Sequence, residues 1–151
     1  MCKNLNAEPP YFGKTGSHVA CEHGHTEIAQ MLVQKSAEFN IDLNAKGPFD
    51  LTSFHFVCED EKIKTAEMLV QKSDEFNIDL NAKDINGKTA FHWACKEGEK
   101  KIVEMMVDKA KSFNLDLEAK DNDGRSGFEI AKLEGNFEII DIFKTKIPKL
   151  G

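Results

Sequence analysis

Hydrophobic side chains recur along this chain at helical spacing, and the whole pattern returns every 37 residues. Phe91, Ala94 and Cys95 lie at positions i, i+3 and i+4, which predicts one face of a short helix. A longer apolar stripe, which predicts a second helix, follows at Ile102, Val103, Met106 and Val107. Leu115-Asp116-Leu117 then alternates and indicates an extended return. Each unit is therefore predicted to be a short helix, a longer helix and a return segment.

The residues between these stripes predict where the helices begin and end. Asn86-Gly87 is typical of a tight turn, which requires positive φ angles. Thr89 stands where a hydroxyl can accept a hydrogen bond from an early helix amide. Gly98 is predicted to end the short helix in the left-handed conformation. Asn114 is predicted to end the longer helix, since asparagine tolerates that conformation.

The repetition is close enough to predict the domain organisation. Met31–Lys46 and Met68–Lys83 differ at one position, Ala37 against Asp74. A fixed period in this range indicates one supersecondary unit stacked on further units of its kind. We predict an N-terminal lead at residues 1–9 and one elongated repeat domain at residues 10–151. The predicted repeats, called repeat one to repeat four below, are about 10–46, 47–83, 84–120 and 121–151.

The unit resembles an ankyrin repeat. The Thr-Pro-Leu-His motif of that family stands here as Thr89-Ala90-Phe91-His92 and as Thr52-Ser53-Phe54-His55. Gly24-His25 matches the family's residues between the helices, and Asp42-Leu43-Asn44-Ala45 matches its return segment. The resemblance covers about residues 10–143. It implies an all-α fold, an ankyrin-repeat solenoid of stacked helix-turn-helix units joined by short β-hairpin-like loops.

The repeat length departs from that family. Ankyrin repeats usually have about 33 residues, whereas these repeats have 37. We expect the four extra residues to add one turn to the second helix, with Asn in place of the usual glycine at its end. Phe39, Phe76 and Phe113 would then extend the apolar face of that helix and pack between repeats.

Repeats two and four also depart from the pattern. Repeat two has Asp50 and Glu61 where glycines are expected, so its loops should be less regular. Repeat four has Lys132 where the other repeats have Cys, and Glu129 where they have His. A terminal repeat with a polar outer face is what the end of a solenoid requires.

Composition and charge argue against some classes of partner and some locations. The net charge is −6, with 26 acidic and 20 basic residues, and no Lys/Arg stripe follows the chain, which argues against nucleic acid binding. No stretch approaches about 18 apolar residues, so membrane insertion is not expected. The N-terminus lacks the apolar segment of a signal peptide. We expect a soluble monomer in the cytoplasm or nucleus, with its repeat-equivalent cysteines buried and reduced.

Residues capable of chemistry are present, but the period favours structural roles for them. Cys21, His23 and His25 are metal-ligand types, yet Cys21 and His25 occupy repeat positions. Cys/His pairs three residues apart, such as His92 and Cys95, recur in three repeats, whereas a catalytic pair is needed once. No glycine-rich phosphate loop follows a strand. We therefore expect no metal, no cofactor and no enzymatic activity.

The resemblance carries its own expectations for side chains. By that resemblance His18, His55 and His92 bond to backbone and tie adjacent turns together. It also implies a concave binding face, built from the turn tips and the first helix of each repeat. We predict that a protein partner binds there at Tyr11, Phe12, Phe49, Leu51, Glu59, Asp60, Ile85, Lys96 and Glu97.

Several of these positions are apolar where solvent-facing side chains are expected, and they do not follow the period. Exposed apolar clusters with a polar rim mark interaction sites. The local alternative is that Tyr11 and Phe12 cap the first repeat and that Phe49 folds back from an irregular turn.

Two functions are compatible with these features, and they differ in how many partners the protein would bind. The first is a non-catalytic protein-protein interaction module. The alternative is a regulatory inhibitor that masks a kinase or a transcription factor. A substrate role is also open, because Asn44 and Asn81 match the asparagine that asparaginyl hydroxylases modify in ankyrin repeats.

Overall fold

The computed structural model describes residues 13–150, and this part of the chain folds into eight α-helices with no strand. The helices are α1 Gly16–Glu22, α2 Thr26–Gln34, α3 Ser53–Phe56, α4 Ile63–Phe76, α5 Ala90–Glu97, α6 Lys100–Phe113, α7 Gly127–Glu134 and α8 Phe137–Lys146. The all-α prediction is confirmed. The predicted lead at residues 1–9 and the predicted site residues Tyr11 and Phe12 lie outside the described residues.

The helices form two rows that pack on each other. The first helices of the repeats, α1, α3, α5 and α7, contact one another in chain order, and so do the second helices α2, α4, α6 and α8. The core lies between the two rows and includes Cys21, Val33, Leu69, Ala94, Cys95, Met106, Ala131 and Phe143. The helix pairs follow the predicted repeats, whose residue boundaries stay a prediction.

The predicted helix ends agree with the structure. Thr15, Thr89 and Ser126 precede first helices, and each hydroxyl accepts a hydrogen bond from the backbone N–H three residues later. Gly98 has a φ of 74° at the end of α5, the left-handed conformation in which a residue with a side chain is strained. The starts of α1, α5 and α7 are therefore fixed by their own sequence.

The second helices have the predicted extra turn in two repeats. Helices α4 and α6 have 14 residues each, and Asn77 and Asn114 end them with φ angles of 55° and 56°. Phe76 and Phe113 are half-buried against the core.

The prediction is wrong for repeat one. Helix α2 has 9 residues and ends at Gln34, after which turns carry the chain to Asn40. Phe39 lies 66% exposed, because no helix pair among residues 13–150 covers the outer side of α2. The segment that follows α2, including Phe39, therefore lacks the packing that a preceding repeat supplies.

Repeat two is irregular, as its missing glycines predicted. Helix α3 has only 4 residues, a turn follows it, and a short 3-10 helix at Asp60–Lys62 then leads into α4. In the hairpin loop before it, Phe49 and Asp50 have φ angles of 56° and 60°. Two consecutive left-handed residues with side chains strain this loop.

Histidine side chains tie each first helix to the next hairpin loop. The Nε2 atoms of His18, His55 and His92 each lie 2.9 to 3.0 Å from a backbone carbonyl oxygen one repeat further on. The three carbonyls belong to Leu51, Lys88 and Arg125. The role that the resemblance implied for these histidines is therefore confirmed.

Asparagine side chains make a second tie along the return segments. The amide Nδ2 of Asn44 donates to the Asn77 carbonyl at 2.9 Å, and the backbone N–H of Asp79 donates to Asn44 Oδ1 at 2.8 Å. Asn81 makes the equivalent pair of bonds to Asn114 and Asp116. Both asparagines thus join neighbouring repeats in the folded chain, and their hydroxylation stays a prediction.

The last repeat has the predicted polar outer face. Lys132 is exposed, and its Nζ lies 5.2 Å from the centre of the Phe128 ring. Glu129 replaces the motif histidine by accepting the backbone N–H of Ser126 at 2.7 Å, which closes a local cap. Ile147 and Leu150 pack against the core beyond α8.

Candidate functional site

Two apolar side chains stand exposed on neighbouring hairpin tips. Phe49 is 63% exposed and Ile85 is 58% exposed, and the backbone N–H of Ile85 donates to the Phe49 carbonyl at 3.0 Å. The local alternative for Phe49 is excluded, because its side chain does not fold back onto the core. We call Phe49 and Ile85 the tip pair.

The tip of repeat two lacks the carboxylate that shapes the tips of repeats three and four, which is Asp84 in one and Asp121 in the other. In repeat three, Asp84 Oδ1 accepts the backbone N–H groups of Asn86 and Lys88, both at 2.9 Å. Gly47 stands at the equivalent position of repeat two and offers no side chain. The loop closes instead by a bond of 2.8 Å from the Gly47 N–H to the Leu51 carbonyl. This different closure accompanies the left-handed conformation of Phe49.

The early end of α3 leaves a groove between α1, α3 and α5. Where α5 continues for 8 residues, α3 stops at Phe56, so one helical turn is missing from the first-helix row. The resulting cavity has a volume of about 410 Å³. We call it the α3 groove, and its lining residues are Glu22, Leu51, His55, Phe56, Cys58, Glu59, Lys62, Trp93, Glu97 and Glu99.

Two aromatic rings lie in the α3 groove, each with a lysine beside it. Lys14 Nζ lies 5.4 Å from the centre of the Phe56 ring, and Lys96 Nζ lies 5.6 Å from the Trp93 ring. The Trp93 indole N–H donates to Asp84 Oδ2 at 2.7 Å. Because Asp84 also holds the hairpin tip, the tryptophan and the tip of repeat three form one connected unit.

Carboxylates outnumber cations in the groove lining, with four glutamates against Lys62. Lys14 and Lys62 pair with Glu22 and Glu59, each at 2.9 Å. Glu97 has only a longer contact of 3.7 Å, to Lys96. Burial raises the pKa of Glu99, whose Oε2 accepts the backbone N–H of Asp60 at 2.8 Å. The groove is therefore acidic after its internal pairs are made.

Two of the predicted site residues, Phe49 and Ile85, form the tip pair. Leu51, Glu59 and Glu97 line the α3 groove. Lys96 lies at its edge over the Trp93 ring.

Asp60 has a role inside the fold. Its Oδ1 accepts the backbone N–H of Ile102 at 3.0 Å and satisfies an amide in the first turn of α6. Asp60 therefore joins repeats two and three, and its contact with a partner stays a prediction.

Sequence reasoning missed the two aromatic rings of the groove. Phe56 and Trp93 are repeat-equivalent to Val19 and Ile130, so their apolar character indicated a core position. One sequence feature could have identified them. At this position repeats two and three have large aromatic rings, whereas repeats one and four have smaller aliphatic side chains.

The repeat cysteines lack the environment of a nucleophile. Cys21, Cys58 and Cys95 are buried and free, as predicted. Burial raises the pKa of the Cys21 thiol to about 11, and it also raises the pKa values of Cys58 and Cys95. A reactive cysteine needs a lowered pKa, because the thiolate is the reactive form. These thiols fit the packing role that the period indicated.

Residues 13–150 contain neither a metal-binding cluster nor a membrane-spanning helix. No group of three or more His, Cys, Asp or Glu side chains in this range is arranged to hold a metal ion. No helix in the same range is long and apolar enough to cross a bilayer.

Comparison with known families gives one result. A family model described as ankyrin repeats, in three copies, matches residues 1–84, 18–121 and 54–147, which together cover nearly the whole chain. No curated protein matches the chain.

Proposed function

Because the chain belongs to the ankyrin repeat family, whose members are generally protein-protein interaction modules, we propose that it is a non-catalytic module binding one protein partner. The binding surface is the concave face, formed by the hairpin tips and the first-helix row. The observation that carries this proposal is the α3 groove beside the exposed tip pair, since both break the repeat where stacking does not require it.

The tip pair supplies an apolar anchor. Phe49 and Ile85 are large apolar side chains that remain more than half exposed on adjacent loops. Aromatic side chains at the centre of an interface are frequent hot spots, where truncation costs about 2 kcal/mol or more. A partner that covers this pair removes apolar surface from water at two neighbouring points.

The α3 groove supplies charge preference. Glu97 has only the 3.7 Å contact with Lys96, and Glu99 pairs with no lysine among residues 13–150. A partner with Lys or Arg at this position would gain an ion pair with each of these carboxylates. The rate of association should fall as salt rises, because surface charges steer the encounter.

The surface is organised before the partner arrives. The hairpin tips of repeats two and three are joined by a backbone bond, and Asp84 joins the tip of repeat three to Trp93. Little side-chain and loop freedom remains to be lost on binding, which favours affinity.

The acidic groove also supports the second candidate, a regulatory inhibitor. An inhibitor covers the working surface of one target, such as a kinase or a transcription factor, and a basic target surface would complement these glutamates. Adding the protein to the purified partner distinguishes the two functions. Loss of the partner's own activity identifies an inhibitor, and unchanged activity identifies a scaffold.

A matched pair of phenylalanine variants tests the binding surface. The partner is recovered from the native cell by crosslinking to the full chain, and its affinity is then measured with purified proteins. Phe49→Ala should weaken binding by about 30-fold, which corresponds to about 2 kcal/mol. Phe39→Ala removes the same side chain at nearly the same exposure, 66% against 63%, but outside the concave face. It should leave the affinity within about twofold.

Intrinsic fluorescence gives an independent readout. Trp93 is the only tryptophan of the chain and lies in the α3 groove. Its emission should therefore change when the partner binds. Equal affinities for the two phenylalanine variants, together with unchanged Trp93 emission on binding, would refute the proposed surface.

The proposed location is the cytoplasm or nucleus, which fits the three free buried thiols. Fluorescence microscopy of the tagged full chain tests this location.

A further inference from the structure

A backbone carbonyl near the end of each first helix needs a donor from beyond that helix. In repeats one, three and four it accepts a hydrogen bond at 2.8 to 3.2 Å. The three acceptors are the carbonyls of Cys21, Cys95 and Lys132, and their donors in the same order are the Gly24 N–H, the Asn136 side-chain amide and the Gly135 N–H. Cys58 stands at the equivalent position in repeat two. Its carbonyl has no donor among residues 13–150.

The carbonyl of Phe56 likewise receives no hydrogen bond from residues 13–150. Helix α3 ends at Phe56, so no following helical turn provides an N–H group for it. In repeat three the equivalent residue is Trp93, and α5 continues beyond it to Glu97. In repeat one the equivalent Val19 carbonyl accepts the His23 N–H at 3.1 Å. The early end of α3 therefore leaves two carbonyls of repeat two without a donor from the described part of the chain.

The next repeat does not supply the missing donor. Asn136 of repeat four reaches back to α5, where its Nδ2 donates to the carbonyls of Cys95 and Lys96, both at 2.8 Å. The equivalent residue of repeat three is Glu99. An ionised carboxylate only accepts hydrogen bonds, and Glu99 accepts the Asp60 N–H at 2.8 Å. An acceptor thus faces repeat two where repeat three meets a donor.

Acceptors therefore outnumber free donors in the α3 groove. Phe56 and Cys58, the residues of the two carbonyls, line the groove together with Glu97 and Glu99. The lysine of the lining is already paired with a glutamate at 2.9 Å. A partner that covers the groove excludes water from these carbonyls, and a buried carbonyl without a donor is destabilising. Such a partner must bring donors of its own.

We propose that the protein partner inserts an arginine side chain into the α3 groove. Its guanidinium donates to the carbonyls of Phe56 and Cys58 and pairs with the carboxylates of Glu97 and Glu99. This inference rests on the proposed function, since it identifies one residue of the partner that binds the concave face. The groove volume of about 410 Å³ lies within the range of about 300–1,000 Å³ that is typical of ligand pockets.

The number and charge of the acceptors favour arginine over other donors. The two carboxylates select a cation over a neutral amide or hydroxyl, because charge-assisted hydrogen bonds are stronger than neutral ones. A lysine ammonium has three donors on one atom, whereas a guanidinium has five donors in a planar fork. The groove presents two carbonyls and two carboxylates, which are more acceptors than an ammonium can satisfy. Arginine can engage several of them at once.

Small arginine compounds test the groove without the partner. Nα-acetyl-arginine amide should bind the full chain with a dissociation constant of about 1 mM at low salt. In NMR titrations at constant ionic strength, the Trp93 indole N–H resonance and the backbone amide resonances of Cys58 and Glu99 should shift. The lysine analogue should bind at least about fivefold more weakly. The citrulline analogue keeps the shape of arginine but lacks its charge, and it should bind at least about tenfold more weakly.

Two glutamine variants and a matched control locate the site. Glu97→Gln and Glu99→Gln should each weaken binding of the arginine compound by about fivefold. Glutamine at position 99 can still accept the Asp60 N–H, and Glu97 is exposed, so both variants should melt within about 2 °C of the natural chain. Glu134→Gln changes the exposed equivalent of Glu97 in repeat four, outside the groove. It should leave the affinity within about twofold.

Three results would overturn the proposal. One is the absence of saturable shifts up to about 20 mM of the arginine compound. Another is equal affinity for the arginine compound and for either analogue, because the groove would then not select a guanidinium. The third is unchanged affinity in both glutamine variants.

These outcomes are separate from a failure of the proposed function. If Phe49→Ala weakens binding of the recovered partner but the arginine compound does not bind, the concave surface is supported and the arginine is refuted. If the arginine compound binds as expected but Phe49→Ala leaves the affinity for the partner unchanged, the groove is supported and the tip pair is refuted.

Discussion

The three histidines that tie the repeats together should make the fold sensitive to mild acid. The backbone N–H groups of Thr15, Thr52 and Thr89 donate to the Nδ1 atoms of His18, His55 and His92 at 2.9 to 3.0 Å. Each Nδ1 therefore carries no proton, and each Nε2–H donates to a carbonyl of the next repeat. The folded chain thus requires all three rings to be neutral.

Burial lowers the pKa values of His18, His55 and His92. A proton on Nδ1 would also face the threonine N–H that now donates to it. In the unfolded chain a histidine has a pKa of about 6.5. As the pH falls through this value the unfolded chain binds protons that the folded chain does not, so the free energy of unfolding decreases. This stability is complete above about pH 7.5 and is lost as the pH falls toward the lowered folded pKa values.

The magnitude follows from proton linkage. Between pH 7.5 and 5.5, a histidine that stays neutral only in the folded state loses about 1.4 kcal/mol of stability. Three such residues lose at most about 4 kcal/mol, a large part of the roughly 5–15 kcal/mol that holds an ordinary domain. Burial raises the pKa of Glu99, so protonation of this carboxylate offsets a small part of the loss.

Urea unfolding followed by circular dichroism at pH 7.5, 6.5 and 5.5 measures this loss. His92→Gln removes one of the three buried rings and should remove about one third of the pH dependence. His23→Gln is the matched control, because His23 is an exposed histidine of repeat one. A stability that changes by less than about 0.5 kcal/mol over this range would refute the reasoning, as would equal effects of the two variants.

Two further predictions concern the irregular positions. Asp50→Gly should raise the free energy of unfolding by about 0.5–1 kcal/mol in urea melts, because Asp50 has a φ of 60° where repeats three and four have Gly87 and Gly124. Asp50→Ala keeps the strain and should give no gain. Phe76→Ala should cost about 1–2 kcal/mol, because its ring is half-buried. Phe39→Ala should cost less than about 0.5 kcal/mol, and equal costs for the two would contradict the assignment of Phe39 to an uncovered end.

The sequence predicted the repeating elements because their signals are local. Thr89, Gly98 and Asn114 mark helix ends through their own side chains or their lack of one, and all three lie where predicted. The stacking of helix pairs also follows, since neither helix of a unit can bury its apolar stripe alone.

Local sequence did not decide where the second helix ends. Met31–Lys46 and Met68–Lys83 are identical at all but one position, yet α2 ends at Gln34 and α4 continues to Phe76. The difference lies in the surroundings, because repeat one covers α4 and no described residue covers α2 in the same way. Helical stability in proteins comes largely from packing of the apolar face. A prediction made from the repeat alone therefore failed at Phe39.

The candidate site was only partly predictable for a related reason. Exposure of Phe49 and Ile85 followed from their place at turn tips that the period identifies. The α3 groove depends on a helical turn that is missing, and the sequence indicated only that glycines were lacking there. The position of Phe56 and Trp93 beside that gap could not be read from their apolar character.

Repeat two can depart from the pattern because it has a neighbour on each side. In a solenoid each unit is stabilised by its own contacts and by those with adjacent units. On one side, His18 and Asn44 of repeat one bond to repeat two. On the other side, His55 and Asp60 of repeat two bond to repeat three. These ties support a strained loop and a four-residue helix that would be unstable alone. Positions that do not follow the repeat pattern, such as Phe49, are therefore the ones where this chain can have a binding surface that other repeats lack.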